Sequence, residues 1–157
     1  MDRLIPMTEY DIQVSENKDS LSLAASDLIA KIIESTLRNK IRAKVALCGG
    51  STPKAAYSLL GKKNLDWRNI DFFLGDERWV DRESQDSNCF LLNHSLFKEG
   101  NPSLEASFFS VSTIELSSPE ESAKDYERIL KENLDGNPPK FDLILLGLGD
   151  DGHTASL

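Results

Sequence analysis

Apolar residues along the chain fall into two alternating kinds of run. Short dense runs read as strands buried in a sheet: KVALC (44–48), IDFFL (70–74) and FDLILLG (141–147), with YDIQV (10–14) and SFFSV (107–111) as further candidates. Between them the apolar positions take a helical period. Leu21, Ala24, Ala25, Leu28, Ile29, Ile32, Ile33 and Leu37 mark one long helix. KAAYSLL (54–60), stopped by Gly61, marks a shorter one, and Phe90, Leu91 and Phe97 share a side of a helix after Ser87, with His94 in its middle. Ser118-Pro119-Glu120-Glu121 has the form of a capping box with proline at the first helical position. The helix it opens carries Ala123, Tyr126, Leu130 and Leu134 on one face and breaks at GNPP (136–139). Strands alternating with helices predict a parallel sheet covered on both faces.

In sheets of that kind, ligands sit outside the carboxyl ends of the strands. Three polar motifs fall at those ends: GGSTP (49–53), GDERWV (75–80) and GLGDDGHTASL (147–157). Their shared position is the main indication of a single site.

Composition narrows the field. The 157 residues suffice for one domain with a core, taken as a single α/β unit over 1–157. A formal net charge of −8 argues against a general nucleic-acid binder, while local donors still leave room for an anionic small molecule. No apolar run approaches a membrane span, and the N-terminus lacks the apolar core of a signal peptide. Two cysteines make no disulfide framework: Cys48 reads as a buried reduced thiol, and the cytosol is the expected compartment.

The motifs carry distinct chemistry. Gly49 and Gly50 permit a sharp turn and a close approach to a ligand, and Ser51 and Thr52 add hydroxyls. Thr52 suits an N-cap before Pro53 at the first helical position, and the free N–H groups there favour a phosphate or carboxylate; an ordinary capped turn is the plainer alternative. Arg78 has the planar fork that clamps phosphate oxygens, and Asp76 can order a hydroxyl or a water. The alternative for this segment is a surface loop with internal ion pairs, with Trp79 packing rather than stacking on a ligand. Gly147, Gly149 and Gly152 match the G-x-G-x-x-G spacing of dinucleotide sites. Asp150 and Asp151 would repel a pyrophosphate there, and the fingerprint belongs to a first strand–helix unit rather than a last one. His153, flanked by Asp151 and Thr154 at a strand end, is placed to act as a general base near neutral pH, or else is a helix-start residue satisfied by a neighbouring carboxylate. A metal site is not expected, because no second histidine lies within ligand spacing.

Together CGGSTP, FFLGDERWV with Ser87-Asn88 downstream, and GLGDDGHTASL resemble the 6-phosphogluconolactonase family, in the family's order and over essentially the whole chain. DGHTASL is the specific element. The related glucosamine-6-phosphate deaminases and isomerases usually continue after the histidine with a segment bearing phenylalanine and glutamate. The resemblance implies a Rossmann-like three-layer α/β/α sandwich with a mainly parallel sheet. It implies hydrolysis of 6-phospho-D-glucono-1,5-lactone to 6-phosphogluconate, in the oxidative pentose phosphate pathway, with no organic cofactor and no metal. His153 would activate water and Asp151 would orient the imidazole or accept from nearby backbone N–H groups. Gly49, Gly50, Ser51, Thr52 and Arg78 would hold the phosphate and sugar hydroxyls, with Asp76 and Asn88 shaping the pocket. A sugar-phosphate isomerase or deaminase using Asp76 as base, and a phosphosugar-sensing domain without turnover, are the competing expectations. Family members continue past this last motif, so the chain is expected to lack their C-terminal part and to be weak or inactive alone.

Overall fold

The computed structural model describes residues 10–157. Four strands, β1 (Ala43–Leu47), β2 (Ile70–Leu74), β3 (Ser107–Phe109) and β4 (Leu143–Ile144), form one parallel sheet in the order β3-β2-β1-β4. Four helices, α1 (Lys18–Leu37), α2 (Ser51–Leu60), α3 (Asn88–Asn93) and α4 (Pro119–Asn133), alternate with them. The α/β class expected from the sequence is the one observed, and it is Rossmann-like.

The strand order dictates where a ligand fits. From β1 to β2 to β3 the chain advances outward one strand at a time. It then returns through α4 across the sheet to place β4 on the other side of β1. Right-handed crossovers put helices of outward and returning connections on opposite faces, so the carboxyl ends of β1 and β4 diverge into a crevice. The glycine motifs that follow β1 and β4 flank that crevice.

Alternate residues of β1 and β2 explain the core. Val45, Leu47, Ile70, Phe72 and Leu74 pack with Ile29 and Ile33 of α1 and Tyr57 and Leu60 of α2. Each large apolar side chain so buried contributes about 1.5–3 kcal/mol. On the other side of the pleat, Phe73 stacks on Phe109 at 4.8 Å and meets Phe141 edge-on at 5.4 Å. Tyr126 of α4 spans to β2: its hydroxyl donates to the Leu74 carbonyl at 2.9 Å and accepts from the Leu74 N–H at 2.8 Å. Burial raises the Tyr126 phenol well above its ordinary pKa, so it stays a neutral donor.

Several local expectations are corrected. Residues 10–14 are not a strand: Tyr10, Ile12 and Val14 face solvent, and among the described residues this segment pairs with no strand. The buried stripe of α1 runs through Ser22, Ser26, Ile29, Ala30 and Ile33, leaving Leu21 and Leu28 partly exposed. β3 ends at Phe109 and α3 at Asn93, so His94 caps α3 instead of lying mid-helix. There it stacks on Phe90, and its Nδ1 lies 2.9 Å from the Phe90 carbonyl oxygen. The Ser118 hydroxyl caps α4 as expected, but the returning arm of the box reaches the N–H of Ser117. β4 is only two residues long, an edge strand paired on one side, with its own Ile144 exposed and Leu146 and Leu148 exposed beyond it. It is pinned by Asp142, which accepts from the Lys44 N–H at 2.9 Å and pairs with Lys40. No helix among the described residues is long and apolar enough to cross a membrane.

Candidate active site

A cleft of about 500 Å³ opens at the diverging ends of β1 and β4, lined by Gly49, Gly50, Ser51, Thr52, Asp76, Arg78 and His153. Seven of the nine residues nominated from sequence therefore share one wall-to-wall space. Asp151 stands directly behind His153, and Asn88 lies beneath the surface.

The first wall is the β1–α2 turn. Gly50 takes φ +103°, a value that favours glycine, and the helix begins at once with Ser51. Gly50 is thus the N-cap and Pro53 the third helical residue, two positions earlier than the expected Thr52 cap. Proline is tolerated there because the first-turn N–H groups have no intrahelical partner in any case. No side chain caps α2, so its first N–H groups and the hydroxyls of exposed Ser51 and Thr52 face the cleft as donors suited to an anion.

The second wall is the loop after β2. Arg78 donates from Nη1 to the Asp86 carbonyl at 3.2 Å and to Asn88 Oδ1 at 3.0 Å. Asn88, 1% exposed, turns its Nδ2 to the Asp76 carbonyl at 3.0 Å and to Asp76 Oδ1 at 3.3 Å. Asn88 is therefore not among the cleft-lining residues; it links Arg78 to Asp76 from behind. Among the described residues Asp76, Glu77 and Arg78 form no ion pair, so the segment is not the surface loop with internal salt bridges that its composition also allowed. Trp79 lines a neighbouring groove with Val111 and Tyr126 and lies outside the cleft.

The third wall is the loop after β4. Residues 150–157 run as turns and loop, and their contacts gather on His153. The Gly149 N–H donates to the His153 carbonyl at 2.8 Å, and Thr154 Oγ1 donates to the Gly147 carbonyl at 2.7 Å. A Cβ on Gly149 would lie 2.3 Å from the His153 ring and 2.9 Å from Asp151 Oδ1, so glycine is what lets the imidazole lie against the chain. Asp151 Oδ1 contacts His153 Nδ1 and accepts from the His153 N–H at 3.3 Å. The hydrogen bond from His153 holds the Asp151 carboxyl below its ordinary pKa. With Nδ1–H assigned to Asp151 from this network, Nε2 is left with the free lone pair on a ring that lines the cleft.

Two contributors were not nominated from sequence. Ser156 donates to Asp76 Oδ2 at 2.9 Å, tying the third wall to the second. Leu21, Ala25 and Ala56 form an apolar flank of the cleft. In the sequence Leu21 and Ala25 belong to the apolar period of α1, and nothing there sets them apart as cleft residues. Among the described residues, no group of three or more His, Cys, Asp or Glu side chains is arranged to hold a metal ion.

Comparison with known proteins resolves the family. The description glucosamine-6-phosphate isomerases/6-phosphogluconolactonase matches residues 16–157. The chain belongs to this family. It is 34% identical over 149 residues to the 6-phosphogluconolactonase of Nostoc sp., covering 93% of this chain and 61% of that protein. It is 37% identical over 149 residues to the 6-phosphogluconolactonase of Synechocystis sp., again 93% and 61%. Among solved structures, a 6-phosphogluconolactonase from Shewanella baltica superposes with a TM-score of 0.81 at 30% identity, covering 90% of this chain and 58% of that one. The chain thus spans about three fifths of the length of the relatives it matches.

Proposed function

We propose that the chain carries the base and the phosphate end of a 6-phosphogluconolactonase site, hydrolysing 6-phospho-D-glucono-1,5-lactone to 6-phosphogluconate. The supporting observation is the convergence, in one cleft, of a His153–Asp151 pair with the open start of α2 and the Arg78 guanidinium. The 6-phosphate binds Arg78, the α2 N–H groups and the Ser51 and Thr52 hydroxyls. That remote anchoring places the ring carbonyl against a water held by His153 Nε2. Nε2 takes a proton as the water oxygen attacks the carbonyl carbon, and Asp151 stabilises the imidazolium. The tetrahedral intermediate collapses by breaking the bond to the ring oxygen, which receives the proton back. The products are a free hydroxyl and a carboxylic acid, which releases its proton to solvent to give the carboxylate. The phosphosugar lactone is the partner, and the cytosol, where buried Cys48 and Cys89 remain reduced, is the compartment.

The deaminase or isomerase alternative needs Asp76 as a proton-transfer base. Both Asp76 carboxylate oxygens already accept hydrogen bonds, from Asn88 Nδ2 and Ser156 Oγ, which tie the carboxylate into the wall of the site. The test generates the lactone in situ and couples product to 6-phosphogluconate dehydrogenase, for the chain and for His153→Ala. Hydrolysis above the spontaneous rate, falling about 10²–10⁴-fold on the substitution, is expected. Equal rates from the two proteins, both above the spontaneous one, would remove His153 from the mechanism.

A further inference from the structure

Glu77 stands between two residues that face the cleft, yet its carboxylate lies elsewhere. Oε1 accepts from the backbone N–H of Arg78 at 2.8 Å and from that of Asn88 at 2.7 Å. Oε2 accepts from the Cys89 N–H at 2.8 Å and from the Ser87 hydroxyl at 3.0 Å. Ser87 Oγ in turn accepts from the Phe90 N–H at 3.1 Å. The opening N–H groups of α3, those of Asn88 and Cys89, are therefore satisfied by a residue eleven and twelve positions upstream, acting with the ordinary serine cap.

Two consequences follow for the anion end of the site. A carboxylate next in sequence to an arginine would ordinarily pair with it and cancel the charge offered to a ligand. Here four donors occupy the Glu77 oxygens, no Glu77–Arg78 ion pair forms among the described residues, and Arg78 Nε and Nη2 carry no hydrogen bond to protein there. Moreover, one oxygen bridges the backbones of residues 78 and 88, the same two residues whose side chains meet at 3.0 Å. That bridge sets the origin from which the Arg78 fork is aimed.

We propose that Glu77 is a positioning residue for anion recognition: its carboxylate clamps the backbones of Arg78 and Asn88 and leaves the Arg78 guanidinium free for the substrate's phosphate. This deepens the lactonase reading and rests on it for the identity of the phosphate ester, though not for the clamp itself.

The test measures binding of 6-phosphogluconate and, separately, of inorganic phosphate by titration calorimetry. It compares the chain with Glu77→Gln, Arg78→Ala and the double variant, with thermal unfolding recorded for each. A glutamine offers an NH₂ where one carboxylate oxygen accepts, so one side of the clamp is lost at nearly constant volume. Affinity should fall about 10-fold in Glu77→Gln and at least as far in Arg78→Ala, while the double variant binds no more weakly than Arg78→Ala alone. A merely structural role for Glu77 would weaken binding in the Arg78→Ala background as well. Full additivity, or unchanged affinity in Glu77→Gln, overturns the proposal. Should Glu77→Gln fail to fold, Ser87→Ala removes one donor to Oε2, and a loss of about threefold that again vanishes in Arg78→Ala is expected. Phosphate binding without 6-phosphogluconate binding would sink the lactonase reading while keeping the clamp. Binding of neither ligand by the unaltered chain overturns both.

Discussion

Gly49→Ala isolates a contact on which the second wall of the cleft depends. No positive φ constrains Gly49; what demands glycine is space, because an ideal Cβ there would lie 1.8 Å from Asn88 Oδ1 and 2.3 Å from its Cγ. Normal contact requires Asn88 to retreat by roughly 1.5 Å. It has nowhere to go: it is 1% exposed and engaged with Arg78 Nη1, the Asp76 carbonyl and Asp76 Oδ1. Overpacking costs about 1–3 kcal/mol, and each hydrogen bond broken adds about 1 kcal/mol, more where it joins a charged group. Gly49→Ala should therefore lower stability by about 3 kcal/mol, read as a fall in the urea midpoint at constant slope. In an Asn88→Ala background the obstacle is gone and the same substitution should cost under about 1 kcal/mol, a coupling near 2 kcal/mol. Additivity within about 0.5 kcal/mol would refute the steric account, and so would a Gly49→Ala protein as stable as the original.

Gly149→Ala acts on the base, not the fold: its Cβ would displace the His153 ring and Asp151, so lactone hydrolysis should drop about as far as in His153→Ala while the thermal midpoint of the core moves little. Asp71 gives a stability and pH test. Burial disfavours its charged form, but hydrogen bonds from Arg42 and Lys44, with their charges, outweigh it and hold the carboxyl below its ordinary pKa. A depressed folded pKa stabilises fully above the unfolded value, about 3.9, and is lost as pH falls through the lower folded one. Asp71→Asn should cost about 3 kcal/mol at neutral pH, and the gap between the two proteins should narrow in acid; a gap that widens on acidification would contradict the assignment.

The central strands were legible because they are buried on both faces. KVALC and IDFFL are continuous apolar runs, and they became β1 and β2 within a residue. FDLILLG reads equally well as a strand, but only Leu143 and Ile144 find a partner, since β4 is paired along one edge. The chemistry of GGSTP, Arg78 and His153 could be read from residue type at strand ends. The support beneath them could not. Asn88 is needed under Gly49 across 39 positions of sequence, and Glu77 caps a helix it does not belong to, so neither leaves a local pattern. The α2 cap was misplaced for a related reason: Thr52-Pro53 satisfies the usual start signal, but the left-handed turn at Gly50 starts the helix first.

The slightness of β4 divides the molecule energetically. β1 and β2 share five paired positions, and their side chains run through the core, whereas β4 meets β1 at two, helped by Asp142 and one bond from the Leu145 N–H to the Ala46 carbonyl. Parting β4 exposes little buried surface, so its local opening lies far below the cost of unfolding the whole. His153 and Asp151 ride on that strand, whereas the α2 and Arg78 walls ride on the core. A warmed molecule would therefore surrender its base while still holding its anion-binding wall, becoming a receptor for phosphate esters before it became a random coil.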